Sequence, residues 1–109
     1  MQSMLLDFYG ALLTEKQREC YDLHYNEDLS LSEIAEQSGI SRQGVWDNIR
    51  RAESALKEIE EKTGLIRRFT QTQTGLEQVR QRLERLREQT EGPSRALAEE
   101  ALATVDTLL

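Results

Sequence analysis

Residues 28–51 read DLSLSEIAEQSGISRQGVWDNIRR, and this stretch holds two helix starts with one tight break between them. Ser30, Leu31, Ser32 and Glu33 form a capping box: the Ser30 hydroxyl can accept from the Glu33 amide while the Glu33 carboxylate reaches back to the Ser30 amide. The spacing predicts a short helix through Ile34 and Ala35 that ends at Gly39, a residue able to take the positive φ of a helix C-terminus without a Cβ clash. Ile40 is expected to plug the corner, and Ser41 to cap a second helix. Along that helix Val45, Ile49, Ala52, Leu56 and Ile59 recur at alternating steps of four and three, which places them on one face. A short helix, a turn containing glycine and a longer crossing helix make a helix-turn-helix. Ala35 is small where the two helices approach most closely.

Working outward toward the N-terminus, Met4 to Leu13 reads as a helix with Leu5, Phe8 and Leu12 on one stripe. Gly10 inside it costs about 1 kcal/mol relative to alanine. Thr14 and Gln17 form a second capping box, opening a helix from Glu15 to about Asn26 whose buried stripe holds Cys20, Leu23 and Tyr21. Glu27 and Asp28 supply the turn into the central motif. The helix that begins after Ser41 is expected to run to Glu61 or Lys62 and to stop at Thr63 and Gly64. The predicted fold class is therefore all-α, with four helices building a helix-turn-helix domain over residues 1–62.

Residues 63–109 read differently. Leu65, Phe69, Thr72, Leu76, Val79, Leu83, Leu86 and Thr90 alternate in steps of four and three, a heptad seam on one long helix. Its convincing part is Leu76 to Leu86. Gly92, Pro93 and Ser94 break the chain, and Ser94 is expected to cap a last helix whose Leu97, Ala101, Val105 and Leu108 align. A lone amphipathic helix cannot hide such a stripe, because helices in proteins draw most of their stability from packing that face. The expectation is that the last helix folds back on it and that a second chain completes it, giving a homodimer through Leu76, Val79, Leu83 and Leu86. A monomeric hairpin closing on the core is the alternative.

Bulk properties bound the function. The chain has 109 residues, formal net charge −6, 31% charged residues and six aromatics, a balance that favours a helical, surface-rich protein. Charge is uneven: residues 1–40 hold eight acids and two bases, whereas residues 63–91 hold six arginines against four acids. No apolar run reaches the length of a membrane span, and the N-terminus lacks a basic leader with a cleavage-like site. A single cysteine excludes an internal disulfide framework. The expected setting is cytoplasmic, with no membrane partner.

The segments GALLTEKQ (residues 10–17), YDLHYNEDLSLSEIAE (21–36) and GISRQGVWDNIRRAE (39–53) resemble the YlxM family of small helix-turn-helix proteins. That family is in turn similar to region 4 of housekeeping-type sigma factors. The likeness spans about residues 4–62 and is loose beyond. It implies an all-α, often dimeric protein described as DNA-binding, with genes beside those of the signal recognition particle pathway and no catalytic activity. Sigma-like reading helices carry basic residues where this chain has Gly44 and around Trp46 and Asp47. Here those positions bring no positive charge.

If the helix from Arg42 enters a major groove, Gln43, Asp47, Arg50 and Arg51 face outward, with Arg42 and Asn48 at the edges. Amide side chains can bond adenine and arginine can bond guanine, and the Ser41 hydroxyl with the free amides of the helix start can hold a phosphate. The candidate nucleic-acid-binding set is thus Ser41, Arg42, Gln43, Asn48, Arg50 and Arg51. Against it stand Asp47 in the middle of the face and the alternative that the arginines pair with neighbouring acids. Trp46 is read as covering the seam between this helix and a neighbour. The partner is DNA, or alternatively RNA or signal recognition particle components, with the motif as scaffold and the arginines from Arg80 to Arg87 as a basic strip. Glu77, Glu84 and Glu88 interleave with that strip.

Cys20 and His24 stand four apart on one helix, as metal ligands can, but two ligands complete no site. No phosphate loop, nucleophile elbow or metalloprotease signature occurs. The sequence reads as a non-enzyme that needs no cofactor and no metal.

Overall fold

A helix start leaves backbone amides without acceptors, and at three starts this chain puts a hydroxyl in place to take one. In the computed structural model, which describes residues 1–109, the Thr14 hydroxyl accepts from the Gln17 amide at 3.2 Å, Ser30 from Glu33 at 3.1 Å and Ser41 from Gly44 at 3.0 Å. At Thr14 and Ser30 the return bond from the third helical residue is also made, so both boxes are complete. Each such cap is worth about 1 kcal/mol.

These caps open helices α2 (Glu15–Tyr25), α3 (Leu31–Ser38) and α4 (Arg42–Thr63). Before them lie α1 (Gln2–Tyr9) and a 3₁₀ turn (Gly10–Leu12), and after them come α5 (Leu65–Gln89) and α6 (Gly92–Leu108). The molecule is all-α, and α3, the Gly39 turn and α4 form the helix-turn-helix. Gly39 ends α3 at φ +69° and Gly64 ends α4 at φ +62°, a left-handed geometry that costs other L-residues roughly 1–2 kcal/mol.

The chain divides into two compact units, residues 1–66 and 67–109. In the first, two adjoining clusters form the core. Cys20, Ile34, Val45 and Ile49 are fully buried beneath the helix-turn-helix, with Ala35 and Ile40 packed on them. Leu5, Leu6, Tyr9, Tyr21, Ala52, Leu56 and Ile66 form the other. The buried tyrosines keep their hydroxyls satisfied. Tyr9 meets Glu60 at 2.6 Å and Thr63 at 2.7 Å, and Tyr21 donates to the Gln2 carbonyl at 3.1 Å. Burial, reinforced by the Glu53 carboxylate, pushes the Tyr21 phenol up to about 12, so it stays a neutral donor. A polar staple fixes the end of α3: Ser38 donates to Glu19 at 3.0 Å, and Lys16 reaches Glu19 at 3.3 Å and the Ser38 carbonyl at 3.4 Å.

The first helix departs from its expected stripe. It runs Gln2–Tyr9 and tightens into a 3₁₀ turn, where a Met4–Leu13 helix was expected. Leu5, Leu6 and Tyr9 are buried, while Phe8 is 40% and Leu12 70% exposed. The Tyr9 hydroxyl decides the rotation, because its two partners on α4 can be reached only if Tyr9 faces the core. Extended backbone at Leu13 and Thr14, needed for the Thr14 cap, forbids the helix from continuing.

In the second unit α6 runs antiparallel to α5, with Gln73 reaching the Leu108 carbonyl at 3.5 Å. Arg80 Nε lies 3.1 Å from Asp106 and 3.6 Å from Glu84, and Arg80 Nη1 lies 3.8 Å from Glu77. The Nε–H has no aligned acceptor, so these are ion pairs rather than hydrogen bonds, and with the side chains 40–56% exposed their net worth is small. Two expectations for α6 are corrected. The helix starts at Gly92 with Glu91 before it and Pro93 in the first turn, not at a Ser94 cap; proline is pre-organised for that place. The face toward α5 is Ala98, Leu102 and Val105, whereas Leu97 is 67% and Leu108 56% exposed. Two stripes overlap in this sequence, and the one bearing the small Ala98 lets the helices approach. No helix is long and apolar enough to cross a membrane.

Candidate nucleic-acid interface

With Val45, Ile49, Ala52 and Leu56 turned into the core, the helical period leaves Gln43, Asp47, Arg50 and Ser54 on the outer face of α4. Arg42 and Trp46, one turn apart, occupy one flank, and Asn48 the other. Ser41, Arg42, Gln43, Arg50 and Arg51 are all exposed, and Asn48 is half-buried.

The structure groups these residues into two shallow concavities. Arg42 and Gln43 line one together with Trp46 and with Leu31 from the start of α3. Arg50 and Arg51 line the other with Asp47 and Ser54. The guanidinium groups of Arg42, Arg50 and Arg51 lie beyond ion-pair distance of every carboxylate. Other members of the expected set are partly engaged. Gln43 donates to Asp47 at 3.1 Å, Asn48 turns its amide back to the Gly44 carbonyl at 2.9 Å, and Ser41 accepts from Gly44 as a cap. Asn48 therefore lies on the flank opposite Arg42, on the side of Arg51 one turn further on, with its amide bonded to its own helix. Ser41 keeps a hydroxyl proton to give.

Sequence reasoning had not placed Leu31 or Ser54 at this surface, and it assigned Trp46 to packing. Trp46 lines one concavity with Leu31 and remains 42% exposed. The one available signal was Leu31 itself, an apolar residue directly after a capping serine, where the chain has just left the core. Cys20 and His24 do not act together. The thiol is fully buried in the core, and burial pushes its pKa up, toward the inert neutral form. His24 Nδ1 sits 3.2 Å from the Leu29 carbonyl.

Crossed short and long helices, a left-handed glycine between them and an exposed outer face on the second define a helix-turn-helix protein. Comparison with known proteins agrees. Residues 1–94 match the model of the UPF0122 family, described as "putative helix-turn-helix protein, YlxM / p13 like", and the chain belongs to that family. A UPF0122 protein from Thermoanaerobacter is 47% identical over 91 residues, covering 84% of this chain and 78% of its own. One from Geobacillus kaustophilus is 52% identical over 84 residues, covering 77% and 70%. One from Halalkalibacterium halodurans is 41% identical over 104 residues, covering 95% and 87%.

Proposed function

We propose that this chain is a cytoplasmic DNA-binding regulatory protein that lays the first half of α4 in a major groove. Arg42, Arg50 and Arg51 meet phosphates or guanine edges, Gln43 and Asn48 supply amides for adenine, and Ser41 with the first amides of α4 holds a phosphate. The observation that carries this reading is the trio of arginines on the outer side of the motif's second helix, exposed and unpaired with any carboxylate. Titration with mixed-sequence duplex DNA at low salt tests it. The wild type should bind, and Arg42→Ala with Arg51→Ala should weaken binding by at least tenfold. No binding, or binding unchanged by the double substitution, refutes it.

One observation favours a second reading. The net charge of −6 and Asp47 in the outer face oppose phosphate binding, which suits a protein or RNA adaptor of the signal recognition particle pathway that uses the motif as a scaffold. Pull-down from lysate with and without nuclease separates the two: recovery of ribonucleoprotein components instead of promoter DNA favours the adaptor.

The same proposal includes a homodimer formed through residues 63–109. Val79 is 42% and Leu86 47% exposed, while Leu76 and Leu83 are half-buried. Leu83 and Leu86 line an open apolar concavity with Leu97, Ala98 and Ala101. Covering such side chains yields roughly 1.5–3 kcal/mol each when burial is complete. Leu83→Asp should shift the species toward monomer in sedimentation. A wild type that is already monomeric at high concentration contradicts the dimer.

A further inference from the structure

The reading helix carries one surface feature that phosphate binding leaves unused, the apolar concavity formed by Trp46 and Leu31. Trp46 belongs to neither buried cluster, and 42% of it faces water. Leu31 comes from the other helix of the motif, and Arg42 and Gln43 line the same concavity. The phosphates that the arginines would hold are charged and do not fill such a seat. Among the groups that base pairs present in the major groove, the one apolar group is the 5-methyl of thymine.

Resting on the DNA-binding reading above, we propose that Trp46, backed by Leu31, receives thymine methyl groups and biases this protein toward thymine-bearing sites. Charge complementarity orients the contact. Arg42 lies one turn before Trp46 on the same flank and is free to hold the neighbouring phosphate. Gln43 gives one amide hydrogen to Asp47 at 3.1 Å and keeps its carbonyl oxygen and second amide hydrogen for an adjacent base. At this end of α4 the methyl group then adds a shape-based preference to the amide readout by Gln43.

The test compares a mixed-sequence duplex with the same duplex made with deoxyuridine in place of thymidine, which removes only the methyl groups. The full chain should bind the thymidine duplex about fourfold more tightly for each methyl seated, the worth of one buried carbon. Trp46→Ala should bring the ratio of the two affinities close to one, and Trp46→Phe should keep most of it. Circular dichroism on both variants checks that they fold. Because Trp46 is the single tryptophan, its emission should shift on binding the thymidine duplex. A wild type that binds both duplexes equally, a ratio that survives Trp46→Ala, or an indole emission unmoved by bound DNA each overturns the thymine seat and leaves the DNA reading intact. If neither duplex binds, both readings are overturned.

Discussion

Replacing Ile49 with alanine should destabilise the helix-turn-helix unit by about 2–5 kcal/mol, the range for deleting a large aliphatic side chain from a closed core. Ile49 is fully buried, and so are Cys20, Ile34 and Val45 around it. Those neighbours come from α2, α3 and α4, so the cavity would open where three helices meet and could not collapse by moving one of them. At roughly 0.05–0.15 kcal/mol per residue, a unit of this size holds only about 3–10 kcal/mol in all. The variant should therefore be partly unfolded at room temperature, or nearly so. Urea denaturation followed by circular dichroism reads the effect as a lower midpoint at unchanged slope. Ile49→Val should cost only about 0.5–1.5 kcal/mol. An alanine variant as stable as the valine one would mean that Ile49 is not the keystone of this cluster.

The same cluster shows why the central motif was legible in the sequence. Each level of information agrees there: Ser30 and Ser41 cap, Gly39 turns, and Ile34, Val45 and Ile49 recur at helical spacing. α1 and α6 lacked that agreement. In α1, Leu5, Leu6, Phe8, Tyr9 and Leu12 offer two apolar stripes one residue apart. The choice between them rests on Tyr9 finding Glu60 and Thr63, more than fifty positions away, which no local pattern encodes. In α6 the stripe through Leu97 is more apolar than the one through Ala98, yet the smaller residue faces α5. Close approach between helices rewards shape, and periodicity reports only hydropathy. The candidate interface was legible in its residue types and in its exposed arginines. What the sequence could not reveal was side-chain direction. The Asn48 amide folds back on Gly44, Gln43 bonds Asp47, and Trp46 lines a concavity with a leucine from the preceding helix.

If the arginine flank meets DNA, salt should report it quantitatively. Each phosphate neutralised releases condensed counterions, and the affinity falls with a log–log slope of about −0.9 per contact. Arg42, Arg50 and Arg51 on one chain then predict a slope near −2.7, or roughly a 40-fold loss of affinity between 50 and 200 mM salt. Arg42→Ala with Arg51→Ala leaves one contact, a slope near −0.9 and a loss of roughly fourfold over the same range. Asp47 modifies this result in a way that a mere scaffold would not. It lines the concavity with Arg50 and Arg51 and opposes phosphate approach, so Asp47→Asn should raise affinity at low salt and lose that advantage as screening shortens the range of its charge. Fluorescence anisotropy across a salt series measures all three slopes. A wild-type slope near zero, or one that the double substitution leaves unchanged, would place the bound surface elsewhere. In that case the acidic balance of the chain would govern its choice of partner, and the adaptor reading would take precedence.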